Sequence, residues 1–162
     1  MELRRVLPAL LLCGTVGVLG LGAAACGNTG AGSSTPTAPS TLTISHQWAR
    51  SSPAGATNGV AYFTITSPTA DRLVGVATDA GVAGMAQLHE STVGSGGEMS
   101  MQHVDGIDLV AGMPFVLEPG GYHVMLMTLS KALKTGDTIS LIVTLSEAGE
   151  VKVDVPVRDE AP

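Results

Sequence analysis

From Thr41 onward, apolar and polar residues alternate with a period of two, which predicts strands rather than helices. The clearest stretch is 150–157, where four valines at every second position alternate with Lys152, Asp154 and Pro156. Gly- and Pro-rich turns separate such stretches, a pattern typical of an antiparallel sandwich or barrel. Only residues 130–134 are expected to form a helical turn. The nine predicted strands are 41–49, 59–66, 72–78, 85–92, 98–104, 114–118, 122–129, 138–145 and 150–157.

The N-terminal segment has the organisation of a secretory signal. Arg4 and Arg5 precede an apolar stretch that ends in three alanines followed by Cys26. A Cys directly after small residues resembles a bacterial lipobox, so residues 1–25 are predicted to be a lipoprotein signal peptide and Cys26 the lipidated residue. Ordinary secretion and an uncleaved membrane span of about 20 apolar residues are the alternatives. Each of these places the domain outside the cytoplasmic membrane, and the lipid would anchor it there.

Residues 26–40 contain the lipidated Cys followed by Gly, Ser, Thr, Pro, Ala and Asn without a charge. Such a composition cannot bury a core and predicts a flexible tether. Residues 41–158 have the length of a single domain.

Composition excludes several function classes. The net charge is −6 at pH 7, and −7 once residues 1–25 are removed, since six Lys and Arg then face 13 Asp and Glu. An acidic chain does not favour nucleic acid as a partner. No Ser-His-Asp arrangement, phosphate-binding Gly loop or apolar carboxylate pair indicates an enzyme. Cys26 is the only Cys after the signal, so neither a disulfide nor a blue-copper thiolate is expected.

Methionine and histidine are concentrated between Met85 and Met127, which holds six of the seven Met and three of the four His. On a strand, His123, Met125 and Met127 share one face because side chains alternate. Imidazole and thioether donors suit Cu(I), whereas Zn²⁺ and Ca²⁺ prefer other ligands. Methionine also fills irregular cores, so core packing is the alternative interpretation.

The spacing of these residues resembles a known family. Eleven residues separate His89 from Met101, 21 separate Met101 from His123, and one separates His123 from Met125. This is similar to the signature of the periplasmic copper-chaperone family PCu(A)C, here in a lipoprotein form of an actinobacterial type. Further similar segments span about 41–157, including Asn58-Gly59-Val60-Ala61-Tyr62-Phe63 and Pro119-Gly120-Gly121-Tyr122-His123-Val124-Met125-Leu126-Met127.

The resemblance implies an all-β, cupredoxin-like Greek-key β-sandwich of about eight or nine strands. It also implies a copper site at His89, Met101, His123 and Met125, with Cu(I) preferred; whether Cu(II) binds as well, with His46 or His103 as a ligand, stays open. The partner it implies is a copper acceptor protein, a terminal oxidase subunit such as that of cytochrome c oxidase or an assembly factor.

Several alternatives stay open at this point. Met99 competes with Met101 because the Gly-rich loop 94–97 leaves the register uncertain. His46 and His103 are candidate secondary ligands, with a surface position as the simpler interpretation. The other three methionines (Met85, Met113 and Met127) are predicted to pack in the core. For function, the alternatives are a copper storage or resistance protein and a structural β-sandwich without metal.

Overall fold

The computed structural model describes residues 41–162, so the predicted signal peptide, Cys26 and the tether lie outside the described residues. The nine predicted strands are confirmed to within two residues at each end, and one more strand is present. The ten strands are β1 (Thr43–Arg50), β2 (Asn58–Thr66), β3 (Asp71–Thr78), β4 (Ala83–Val93), β5 (Met99–His103), β6 (Ile107–Leu109), β7 (Pro114–Val116), β8 (Tyr122–Leu129), β9 (Thr138–Leu145) and β10 (Gly149–Arg158).

The strands form two layers of a β-sandwich-like fold. The first layer has the order β5-β4-β8-β2-β1, with β7 paired to β2, and the second has the order β10-β9-β3-β6. A short parallel pairing of β1 with β10, at Ala49–Val157 and Arg50–Arg158, joins the layers, whereas the other pairings are antiparallel. Within residues 41–162, no helix is long and apolar enough to cross a membrane.

The core lies between the layers and is built from alternate positions of each strand. In β8 the fully buried residues are Val124 and Leu126, and in β2 they are Ala61, Phe63 and Ile65. The positions between them therefore lie on the outer face of the first layer. This alternation places the odd-numbered residues of 85–93 in β4 and of 123–127 in β8, and the even-numbered residues of β2, on one common surface.

The β9–β10 hairpin shows how polar groups secure the second layer. Gly149 ends its turn with a φ of 77°, a conformation that glycine adopts without strain. The Asp71 carboxylate accepts backbone N–H bonds from Glu147 at 3.0 Å and Ala148 at 3.1 Å. Burial opposes ionisation of this carboxyl, yet the backbone donors outweigh it and lower the pKa of Asp71.

Two features differ from the prediction. The additional strand, β6, has three residues that pair with the edge of β3, too few to show a period of two. The expected helical turn at 130–134 is wrong, because the segment bonds to distant groups instead. The Leu133 N–H donates to Ser52 Oγ at 2.9 Å, the Leu133 carbonyl accepts from the Ser52 N–H at 2.9 Å, and the Leu133 side chain is fully buried.

Candidate metal centre

Two histidines lie side by side on the outer face of the first layer. The regular antiparallel register of β4 and β8 pairs His89 directly with His123, and their ring centroids are 6.0 Å apart. The neighbouring positions Leu88 and Val124 point into the core. Core packing of the alternate residues therefore fixes both imidazoles on the opposite face.

The two predicted methionine ligands lie on the same face. Met125 follows His123 by two residues along β8, and Met101 on β5 pairs with Ser91, which follows His89 by two residues. Both methionines line one groove, about 200 Å³ in volume, together with residues of the segment 50–60. The structure thus brings all four predicted ligands to one surface, although they come from three different strands.

Each imidazole leaves one buried ring nitrogen without a partner. His123 Nδ1 lies 3.0 Å from the Gly121 carbonyl oxygen, so this nitrogen carries the proton and donates it. His89 Nε2 lies 3.4 Å from Gln87 Oε1 and donates in the same way. The other nitrogens, His123 Nε2 and His89 Nδ1, are buried and have no hydrogen-bond partner. Buried polar atoms are rarely left unpaired, and an unprotonated ring nitrogen is a metal ligand.

The surroundings of His89 favour its neutral form. Burial lowers the pKa of His89, and the nearby His123 and His103 rings lower it further when they are charged. A neutral imidazole can bind a metal without first losing a proton. Among residues 41–162, no group of three or more His, Cys, Asp or Glu side chains is arranged to hold a metal. The thioether sulfurs of Met101 and Met125 are the further donor atoms that this face offers beside the two imidazoles.

Of the secondary ligand candidates, Met99 and His103 lie on β5, the strand that carries Met101. Met99 lies on the same face of β5 but pairs with Val93, one outward position further from His89 than Met101. His103 pairs with His89, with centroids 5.8 Å apart, and its Nε2 is 3.5 Å from an oxygen of Asp105.

His46 lies elsewhere. It occupies a bulge of β1 with a φ of 52°, is exposed, and lines a separate cavity with Trp48 and Glu118. The structure does not bring it to His89 and His123.

The expectation that three other methionines pack in the core is wrong. Met85 is 50% exposed, Met113 is 59% exposed, and Met127 is half-buried. Met85 and Met127 occupy outward positions of β4 and β8, so the alternation that places His89 and His123 outside also places these two side chains there.

Sequence reasoning did not single out Gln87 and Gly121, the groups that hold the two imidazoles. Gln87 precedes His89 by two residues and shares its face, so the strand period was a usable signal. The Gly121 carbonyl belongs to the backbone and left no side-chain signal. Tyr62, which lies 6.4 Å from His123 between ring centroids, was also missed.

Comparison with known proteins is consistent with this architecture. The model of a family described as LpqE-like lipoproteins matches residues 42–157. Lxx21020 of Leifsonia xyli subsp. xyli, named as a lipoprotein, is 30% identical over 116 residues, covering 72% of this chain and 69% of that protein.

Two solved structures share the fold. A copper-bound PCuAC domain from PmoF2 is 29% identical with a TM-score of 0.59, covering 75% of this chain and 94% of that domain. The solution structure of CuI-DR1885 from Deinococcus radiodurans is 27% identical with a TM-score of 0.58, covering 76% of this chain and 81% of that one. The all-β architecture expected from the sequence is thereby confirmed.

Proposed function

The chain belongs to the LpqE-like lipoprotein family, and we propose that it is a copper chaperone, anchored outside the cell membrane by a lipid on Cys26. One observation carries this proposal. Two adjacent imidazoles each hold a buried, unpartnered ring nitrogen, and Met101 and Met125 share their surface.

The donor set favours Cu(I). Thioether sulfur is a soft, uncharged donor that suits Cu(I), and imidazole binds both copper oxidation states. A site of His89, His123, Met101 and Met125 carries no charge of its own, so it would hold a monovalent ion without the carboxylates that harder ions prefer. Cu(II) would use the imidazoles, with His103 as a neighbouring nitrogen donor.

The relatives support the same conclusion. The similar structures include a PCuAC domain with copper bound and a protein whose structure contains Cu(I), and this chain covers most of each.

A carrier must release its metal, and the position of the site allows this. Met101 is 55% exposed on β5, which ends the first layer, so an incoming ligand can reach the metal from solvent. We propose that copper passes by ligand exchange to an acceptor outside the membrane, a terminal oxidase subunit or its assembly factor. The lipid on Cys26 and the tether would hold the domain near such membrane-bound acceptors.

The binding step is tested by titrating the full chain with Cu(I) against a competing Cu(I) chelator. We expect one tight equivalent, which His89→Ala removes and which stoichiometric Zn²⁺ does not displace. His46→Ala is the matched control, because that histidine is exposed and lines a different cavity. Equal loss of Cu(I) in both variants, or displacement by Zn²⁺, would contradict the site.

The delivery step needs a separate measurement. Copper-loaded protein is mixed with the metal-free copper domain of a terminal oxidase subunit, and the metal content of each is measured after separation. Transfer within minutes is expected of a chaperone. Retention of copper by this chain would identify a storage protein instead.

A further inference from the structure

The first layer carries more thioethers on its outer face than the proposed copper site uses. None of the six methionines in residues 41–162 is buried in the core. The outer face of β5, β4 and β8 presents five of them, which are Met85, Met99, Met101, Met125 and Met127. Only Met101 and Met125 belong to the proposed site.

Met85 and Met127 form a pair of their own. The register places them directly opposite each other on β4 and β8, and such residues have Cβ atoms about 5 Å apart. Two flexible thioether side chains at that separation can bring both sulfur atoms onto one ion. Asn58 on β2 is the partner of Met127 on its other side, so a polar side chain borders the pair.

Packing in the core does not explain why methionines occupy these two positions. Met85 is 50% exposed, and an apolar side chain left half in water gains only part of the free energy that core methionines gain. The pair also lies on the histidine-bearing surface rather than between the layers.

We propose that Met85 and Met127 form a second, weaker site for a soft monovalent metal ion, Cu(I) in the cell. Two neutral thioethers supply soft donors but no imidazole, so this site binds less tightly than the His and Met site. The oxidation state does not change at either site.

Met125 connects the two sites. It precedes Met127 by two residues on the same face of β8, about 7 Å along the strand, and it is a proposed ligand of the first site. An ion can therefore move between the sites by exchanging one thioether at a time. The second site extends the binding surface away from the histidines, toward the end of the layer where β4 begins and β8 ends.

The test uses the full chain in detergent micelles, labelled with ¹³C at the methionine methyl groups and titrated with Ag(I), a redox-inert soft monovalent ion. The first equivalent should shift the Met101 and Met125 signals, and the second should shift those of Met85 and Met127. Met85→Ile should remove the second equivalent and change the first by less than twofold. Met113→Ile should retain both, because Met113 is similarly exposed but lies outside β5, β4 and β8.

The outcomes separate this proposal from that of the copper chaperone. Unshifted Met85 and Met127 signals at two equivalents, or a second equivalent that survives Met85→Ile, would overturn the second site. Shifts of Met85 and Met127 without shifts of Met101 and Met125 would support the second site and contradict the first. Because Met85 is half exposed, its replacement by Ile should leave the backbone amide spectrum unchanged outside its neighbours.

Discussion

His123 should destabilise the folded protein when no metal is bound. The variant His123→Leu, which lacks the imidazole, tests this. In the native protein, His123 Nε2 is buried without a partner, at a cost of about 1–3 kcal/mol. The bond from His123 Nδ1 to the Gly121 carbonyl returns only about 0.5–1.5 kcal/mol. Removing the imidazole does not strand that carbonyl, because it also accepts from the Ser91 N–H at 3.0 Å.

The cost of the buried, unpartnered nitrogen exceeds the gain from the Nδ1 hydrogen bond. Metal-free His123→Leu should therefore be more stable than the native protein by about 1 kcal/mol, since leucine has a similar volume and no polar atom. Denaturant unfolding of both proteins, without metal and with Cu(I), measures it. Copper at about 100 times its Kd should stabilise the native protein by about 2.7 kcal/mol and the variant much less.

The control is Leu126→Ala on the same strand. Leu126 is fully buried, so this truncation should cost about 2–5 kcal/mol. If metal-free His123→Leu loses more than about 1 kcal/mol, the imidazole stabilises the fold and the argument from the unpartnered nitrogen is refuted.

Met101→Ile should weaken Cu(I) binding by more than about tenfold, or 1.4 kcal/mol, whereas Met113→Ile should not; equal losses in competition titrations would show that Met101 is not a ligand. Burial, helped by the charges of neighbouring histidines, lowers the pKa of His89, so in the metal-free protein this ring should take up a proton only below about pH 6.5, as an NMR pH titration of the ring measures. A His89 ring that is already protonated between pH 8 and pH 7 would contradict a lowered pKa. Cys26→Ser should move the protein from the membrane fraction to the soluble fraction, and unchanged membrane association would point to an uncleaved N-terminal span.

The period of two predicted the strands and the side of β8 that carries the site. With Val124 and Leu126 on one face, His123 and Met125 had to lie on the other, and the structure agrees. The pairing of His89 with His123 was not readable, because it depends on the register between strands that are distant in the chain.

Two errors have identifiable causes. The segment 130–134 has helix-forming residues, but a single isolated turn has little stability of its own, and its bonds to Ser52 override the local preference. Residue type alone predicts a core position for Met85, although its strand parity with His89 places it outside. At this position, the alternation of side chains along the strand predicts the location of Met85 better than its hydrophobicity does.

Because β5 lies at the edge of the first layer, the metal centre can open without unfolding of the whole domain. All five residues of β5 are exposed, and the strand is bonded along one side only, so it can fray while the core stays intact. Of the four proposed ligands, Met101 alone is carried by this strand. We expect β5 amides to exchange hydrogen with solvent much faster than those of β8, which lies between two neighbours. The rate of copper release would then be set by the local fraying of β5 rather than by the rate at which the whole domain unfolds.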